Sequence, residues 1–119
     1  MDTTLSLTDL LPRLVEATNL RLKVLAMNVA NVNTPGYQRL DVDFESSIQR
    51  QLQSTSSGSA TPLKPRVVEG GGGVPRADGN NVDIDREMNV LTKNALLHSL
   101  YSQLQAGNMA RMRSALTGR

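Results

Sequence analysis

The dipeptide Pro35-Gly36 constrains this chain more than any other feature. It interrupts a long helical pattern inside the run Asn28-Val29-Ala30-Asn31-Val32-Asn33-Thr34-Pro35-Gly36-Tyr37-Gln38-Arg39. Proline has no amide donor and moves Thr34 out of the α region. Gly36 is free to take a positive φ, so Pro35-Gly36 is expected at the centre of a type II turn closed by Tyr37. Upstream, Asn28 and Asn31 are i,i+3 neighbours on one helix face, and Asn33 follows just before the turn. A buried amide without a partner is costly, so these side chains are expected to bond backbone or a partner chain.

Before the turn, Leu7, Leu10, Leu11, Leu14 and Val15 form an apolar stripe, which Leu22, Leu25, Ala26, Val29 and Val32 continue. Thr8 or Asp9 suits the N-cap, and Pro12 then falls in the first turn, where its missing donor does little harm. The secure helix is expected over about residues 12–32, roughly 30 Å at 1.5 Å per residue. Arg13, Glu16, Arg21 and Lys23 lie mostly off the stripe and are expected in solvent.

Beyond the turn, Leu40-Asp41-Val42-Asp43-Phe44-Glu45 alternates apolar and acidic residues, as a short strand or an extended arm would. Phe44, the only Phe, is expected to anchor it. Ile48 and Leu52, four apart, suggest one or two helical turns before residue 53. Residues 51–79 then change character. A polar run at 54–61, Pro62 and Pro65, and four glycines at 70–73 are expected to form a flexible insertion, with Arg66-Val67-Val68-Glu69 as a short strand.

Asp78-Gly79 is a strong turn dipeptide, and Asp83 or Asp85 suits a second N-cap, with Glu87 placed to favour the helix dipole. A proline-free helical pattern runs from residue 86 to about 116. Met88, Leu91 and Ala95 form one stripe, and Leu97, Leu100 and Leu104 another. Gly107, inside the helix, costs about 1 kcal/mol against Ala and suggests close approach to a partner helix. Gly118 is a natural stop.

The expected fold is mainly α: long N- and C-terminal helices packed as an antiparallel, coiled-coil-like pair, joined by an irregular, partly β or disordered middle segment. It divides into residues 1–36 (assembly helix and Pro-Gly turn), 37–84 (extended arm and Ser/Gly-rich middle) and 85–119 (second assembly helix). Two long helices alone make a poor monomer, because each apolar face is wider than one partner covers. An independent two-helix hairpin is marginal at this size. The aromatic content of 3% points the same way, since large rings usually dominate a self-sufficient core.

Function classes narrow quickly. A net charge of +2 from interspersed residues does not make a nucleic-acid surface. With no cysteine there is no disulfide frame or thiolate site. His98, the only histidine, has no catalytic constellation around it. Asp41/Asp43/Glu45 and Asp83/Asp85/Glu87 do not fit a calcium loop, and are expected to be a solvated strand face and helix-start capping groups. The four glycines lack the Lys-Ser/Thr of a phosphate loop. No catalytic, cofactor or metal site is expected, and no small-molecule substrate. The start of the chain does not read as a cleavable signal peptide, and no apolar run is long enough to span a membrane.

The run from Asn28 to Arg39 resembles the N-terminal signature of bacterial flagellar rod and hook proteins. The segment from Arg76 to Met88, with Leu91, Lys93-Asn94-Ala95, Tyr101, Leu104-Gln105-Ala106-Gly107 and Arg113-Ser114-Ala115-Leu116, resembles the FlgB family of proximal rod proteins. The sister FlgC type ends differently. Gln38 departs from the pattern, where a Lys is common, and the middle segment matches no fixed pattern.

The resemblance implies a non-enzymatic structural subunit of the torque-transmitting rod, on the periplasmic side of the inner membrane. It implies export through the flagellar type III apparatus without a cleavable signal. The implied partners are further copies of itself, FlgC and other proximal and distal rod proteins, and the FliE-type export-gate/adaptor region at the rod base. A soluble helical adaptor or export chaperone is the alternative. The residues expected to carry assembly are Leu14, Leu25, Asn28, Asn31, Asn33, Thr34, Pro35, Gly36, Tyr37, Asp85, Met88, Leu91, Leu97, Leu100, Leu104 and Gly107. The asparagines are read as setting register between packed helices. Asn31→Leu is therefore expected to retain helicity by circular dichroism and to impair assembly; normal assembly would refute the register role.

Overall fold

The computed structural model describes residues 6–53, 63–71 and 73–118. The polar run at 54–61, Pro62, Gly72 and the first residues of the chain lie outside the described residues. The elements in order are helix α1 (Leu7–Ala30), strand β1 (Leu40–Asp43), helix α2 (Glu45–Gln53), strand β2 (Arg66–Glu69) and helix α3 (Ile84–Thr117). The long terminal helices pack against each other over most of α1. They are antiparallel: Thr8 meets Asn108, Thr18 meets Asn94 and His98, and Asn28 meets Glu87.

Helix α1 starts earlier than the sequence pattern suggests. Ser6, not Thr8 or Asp9, is the N-cap, and its side chain accepts from the Thr8 amide at 3.2 Å. Pro12 therefore lies in the second turn. The carbonyl it leaves without a donor belongs to Thr8, an exposed residue open to water. At the other end the helix stops at Ala30, and Asn31 caps it.

The buried residues of α1 are Leu11, Ala17, Thr18, Val24, Leu25 and Asn28, whereas Leu7 and Leu22 are about half exposed. The inward face is thus rotated from the predicted apolar stripe. Two of its positions are polar, which hides its phase from a hydropathy reading.

Helix α3 carries this further. Asp83 caps it, accepting from the amides of Asp85 at 3.0 Å and Arg86 at 3.4 Å, and Gly118 ends it in the left-handed region at φ 67. Its two buried residues, Glu87 and Asn94, are polar. The half-buried Leu91, Leu97, His98, Tyr101, Gln105 and Asn108 continue the inward face at heptad spacing. Its larger apolar residues, from Ile84 and Met88 to Leu116, mostly point away and are exposed.

The middle segment packs against α1. Strands β1 and β2 pair antiparallel, with Leu40 opposite Glu69 and Asp43 opposite Arg66. Val42 and Phe44 point into the core, and Phe44 is 1% exposed. The Arg21 guanidinium, expected in solvent, instead reaches across to the Val42 carbonyl at 3.2 Å and pairs with Glu45. The whole measures 62 × 36 × 14 Å.

Asp43 caps α2: Oδ1 accepts from the Ser46 amide at 3.2 Å, and the Ser46 hydroxyl donates to Oδ2. These two bonds, the hydroxyl first, hold the Asp43 carboxyl below its ordinary value. A carboxylate whose pKa is depressed by folding stabilises the fold fully above its unfolded pKa. That contribution is lost as pH falls through the lowered folded value. Thermal unfolding followed from about pH 6 to about pH 3 is expected to show this acid loss. Asp43→Asn, which keeps a capping oxygen without the charge, should flatten it, and Asp43→Ala should cost about 1 kcal/mol at pH 6. An unchanged midpoint in Asp43→Ala would show that the cap contributes nothing.

Candidate functional site

The turn after α1 has the geometry its residues dictate. Gly36 has φ 73, and the Tyr37 amide donates to the Thr34 carbonyl at 3.3 Å. A second turn, at Asp78-Gly79, docks onto it. Gly79 has φ 83 and donates to the Arg76 carbonyl at 2.8 Å, while the Arg76 amide donates to the Asn80 carbonyl at 2.9 Å. This is a type I turn followed by a left-handed glycine. The Gly36 amide donates to the Asp78 carbonyl at 2.8 Å, and Gln38 Nε2 to the Gly79 carbonyl at 2.9 Å.

Asn80 completes the joint. Its fully buried side chain donates through Nδ2 to the carbonyls of Asn31, Val32 and Thr34 at 2.9, 3.1 and 2.8 Å. The Arg76 guanidinium donates to the Val32 carbonyl as well. The backbone just after α1 is therefore bonded from the segment that leads into α3. Asn80 Oδ1 accepts from the Val82 amide at 2.8 Å, so the same side chain shapes its own loop.

Beneath these turns lies a buried polar node. Asn28 is 0% exposed. Its Oδ1 accepts from the Tyr37 hydroxyl at 3.1 Å and the Leu40 amide at 3.0 Å. Its Nδ2 donates to the Leu40 carbonyl at 2.8 Å and to Glu87 Oε2 at 3.1 Å. The other oxygen of Glu87 accepts from Arg39 Nε. Arg39 Nη1 also contacts Asp41 at 3.3 Å. The Arg39 backbone is held on both sides: its amide donates to Asn81 Oδ1 at 2.6 Å, and its carbonyl accepts from the Gly70 amide at 2.8 Å. A Cβ on Gly70 would collide with Arg39 Nη1 and stand 3.0 Å from the Asp41 Cβ, so the chain passes here only as glycine.

Two pKa shifts follow from this node. Burial by itself would lower the Arg39 value, but the hydrogen bond and charge of Glu87, with Asp41, carry it above the ordinary one. Burial first, and then the nearby Glu87 charge, raises the Tyr37 phenol. Tyr37 thus keeps the proton it donates to Asn28.

The residues singled out from the sequence fall into three groups. Asn28 and Leu25 are buried, and Asn31, Tyr37, Leu14, Leu91 and Leu97 are half-buried. Asn31 is engaged locally, donating to the Met27 carbonyl at 2.8 Å and accepting from the Thr34 hydroxyl at 3.1 Å. Asn33, Thr34, Pro35, Gly36, Asp85, Met88, Leu100, Leu104 and Gly107 are exposed. Among the described residues nothing lies within 4 Å of where a Cβ on Gly107 would sit, so no contact among them requires a glycine there.

The expectation for Glu87 is corrected. Glu87 lies in the first turn of α3, as its place in the sequence suggests, but its side chain is no solvated group: it is the 0% exposed acceptor of a buried ion pair. Asp43 and Glu45, expected on a solvated face, each have partners of their own in Ser46 and Arg21. Sequence reasoning also missed Arg39, Asn80, Asn81, Asn94 and Thr18. The one available signal was an excess of asparagine at the two junctions.

Similarity to known proteins takes in the first junction and extends over most of the chain. A family model described as flagella basal body rod protein matches residues 16–38. The flagellar basal body rod protein FlgB of Escherichia coli is 34% identical over 121 residues, covering 85% of this chain and 88% of its own length. That of Borrelia hermsii is 31% identical, with 82% and 86% covered. The Bacillus subtilis protein is 27% identical, with 84% of each covered.

The chain belongs to the FlgB family. It is a structural subunit of the flagellar basal body rod. For such a subunit the node is a hinge clamp, tying the ends of α1 and α3 and the strand pair into one rigid body. Breaking a buried ion pair on one side leaves an uncompensated charge. Arg39→Met is therefore expected to cost about 3–5 kcal/mol in urea unfolding, and Arg39→Met/Glu87→Leu to recover at least half of that. A single variant within about 1 kcal/mol of the parent would refute the pair's importance.

Proposed function

We propose that the chain is a subunit of the proximal rod, the segment of the drive shaft nearest the inner membrane. Its terminal helices pack against neighbouring subunits to form a shaft that transmits torque. The observation that carries this reading is the uncovered face of α3. Met88, Leu100, Leu104 and Met112 are 44–49% exposed, and Leu96, Met109 and Leu116 more so, along a helix of 34 residues. Apolar surface on this scale marks a site of association. The two buried residues of α3, Glu87 and Asn94, are polar, so burial of the larger apolar side chains is left to contacts between subunits.

The role is structural and involves no catalysis. The neighbours are further copies of the chain, FlgC-type and other rod subunits, and the FliE-type adaptor region at the rod base. The subunit reaches the periplasmic side of the inner membrane through the flagellar export apparatus. In this reading the junction residues Asn28, Asn31 and the Pro35-Gly36 turn hold the helices in register. The exposed Met88, Leu100 and Leu104, with Gly107 where a helix approaches closely, form the contact surface.

Fractionation separates this from an adaptor or export chaperone: the rod subunit is recovered in purified basal bodies, and a chaperone stays in the cytoplasm. Leu104→Asp is expected to leave the free chain folded, because the side chain is 44% exposed, yet to abolish incorporation and motility. Wild-type motility in that variant would remove α3 from the assembly surface.

A further inference from the structure

Two apolar features lie at opposite ends of α3. The first is a groove of about 350 Å³ between the C-terminal half of α1 and the start of α3, lined by Leu22, Ala26, Val29, Ala30, Met88 and Leu91. The second is the far end of α3. Asn108 is level with Thr8, one residue past the start of α1, so, among the described residues, 109–117 of α3 continue beyond that start. Met109, Met112 and Leu116 lie on this overhang, three and four residues apart and so on one face, and are 64%, 48% and 86% exposed. Methionine adapts readily to an apolar groove.

The flanking charges match. Asp85, exposed, sits three residues before Met88, which lines the groove. Arg113, exposed, adjoins Met112 at the edge of the overhang stripe. The two features cannot meet within one chain: residues 88 and 112 are about 36 Å apart along a continuous helix. We infer that the α3 overhang of one copy seats in the α1/α3 groove of the next, with Arg113 of one facing Asp85 of the other. Such a contact joins unlike surfaces, so it is heterologous and propagates from copy to copy without closing on itself. The inference rests on the rod reading and names one of its contacts.

The chain has no cysteine of its own. Met88→Cys/Met112→Cys therefore tests the contact without background, because a disulfide requires Cα atoms within about 7 Å and none can form inside the chain. Both sites are about half exposed, so the substitutions do not disturb the core. Asp85→Cys/Arg113→Cys is an independent second pair. Each double variant is expressed as the only copy, and basal bodies are oxidised and run without reductant.

The expected result is a ladder of covalent oligomers for each double variant and monomer for each single one. Asp85→Arg in the first pair should weaken the ladder at least about ten-fold, and adding Arg113→Asp should restore it. Monomer from both double variants, with the chain present in the basal bodies, overturns the contact and leaves the rod reading standing. Dimer from either single variant as abundant as from the doubles overturns it in favour of a symmetric contact. Absence of the wild-type chain from basal bodies overturns the rod reading and the contact together.

Discussion

The buried contact among Asn28, Arg39 and Glu87 is the interaction on which the structure depends. It joins three elements at one point: the end of α1, the approach to β1 and the first turn of α3. Charges removed from water are tolerated only when paired and fully hydrogen-bonded. Here each Glu87 oxygen has a donor, and all four hydrogen-bonding positions of Asn28 are filled. That completeness gives the node a single geometry. A greasy contact of similar area would permit sliding, whereas this one fixes where α3 starts relative to where α1 stops.

The two glycine turns act at the same place by another route. Gly36 and Gly79 each take a positive φ, and their turns bond to one another across the junction. Asn80 then closes the end of α1. Backbone carbonyls of the turn that follows α1 are used to position the segment leading into α3. Segments about 45 residues apart in sequence thus become one joint, and the strand pair is pinned to it through Arg39 and Gly70.

Rigidity at one end and apolar exposure along the rest suit a rod subunit. Inside the chain, α1 and α3 meet through polar residues such as Thr18, Asn94 and His98. These set register and contribute little hydrophobic free energy. The apolar residues of α3 are left facing outward. A chain built this way gains most when neighbours cover that face.

Read alone, the amino-acid sequence determines the elements and most of their stops, but not the start of α1, which Ser6 caps. Pro35 and Gly36 turn the chain just after α1 because a missing donor and a positive φ are local properties. Asp83 and Gly118 bound α3 for similar reasons, and alternation marks β1 and β2. It also determines the family, because the junction residues sit close together in the chain. The tertiary structure alone decided which faces are buried. Periodicity assigns apolar residues to the inside, and here the inside of α3 is Glu87 and Asn94 while Leu100 and Leu104 lie outside. Burial of Glu87 depends on Arg39, 48 residues away, and burial of Asn80 on the end of α1. Such pairings are set by packing, and no local spacing records them.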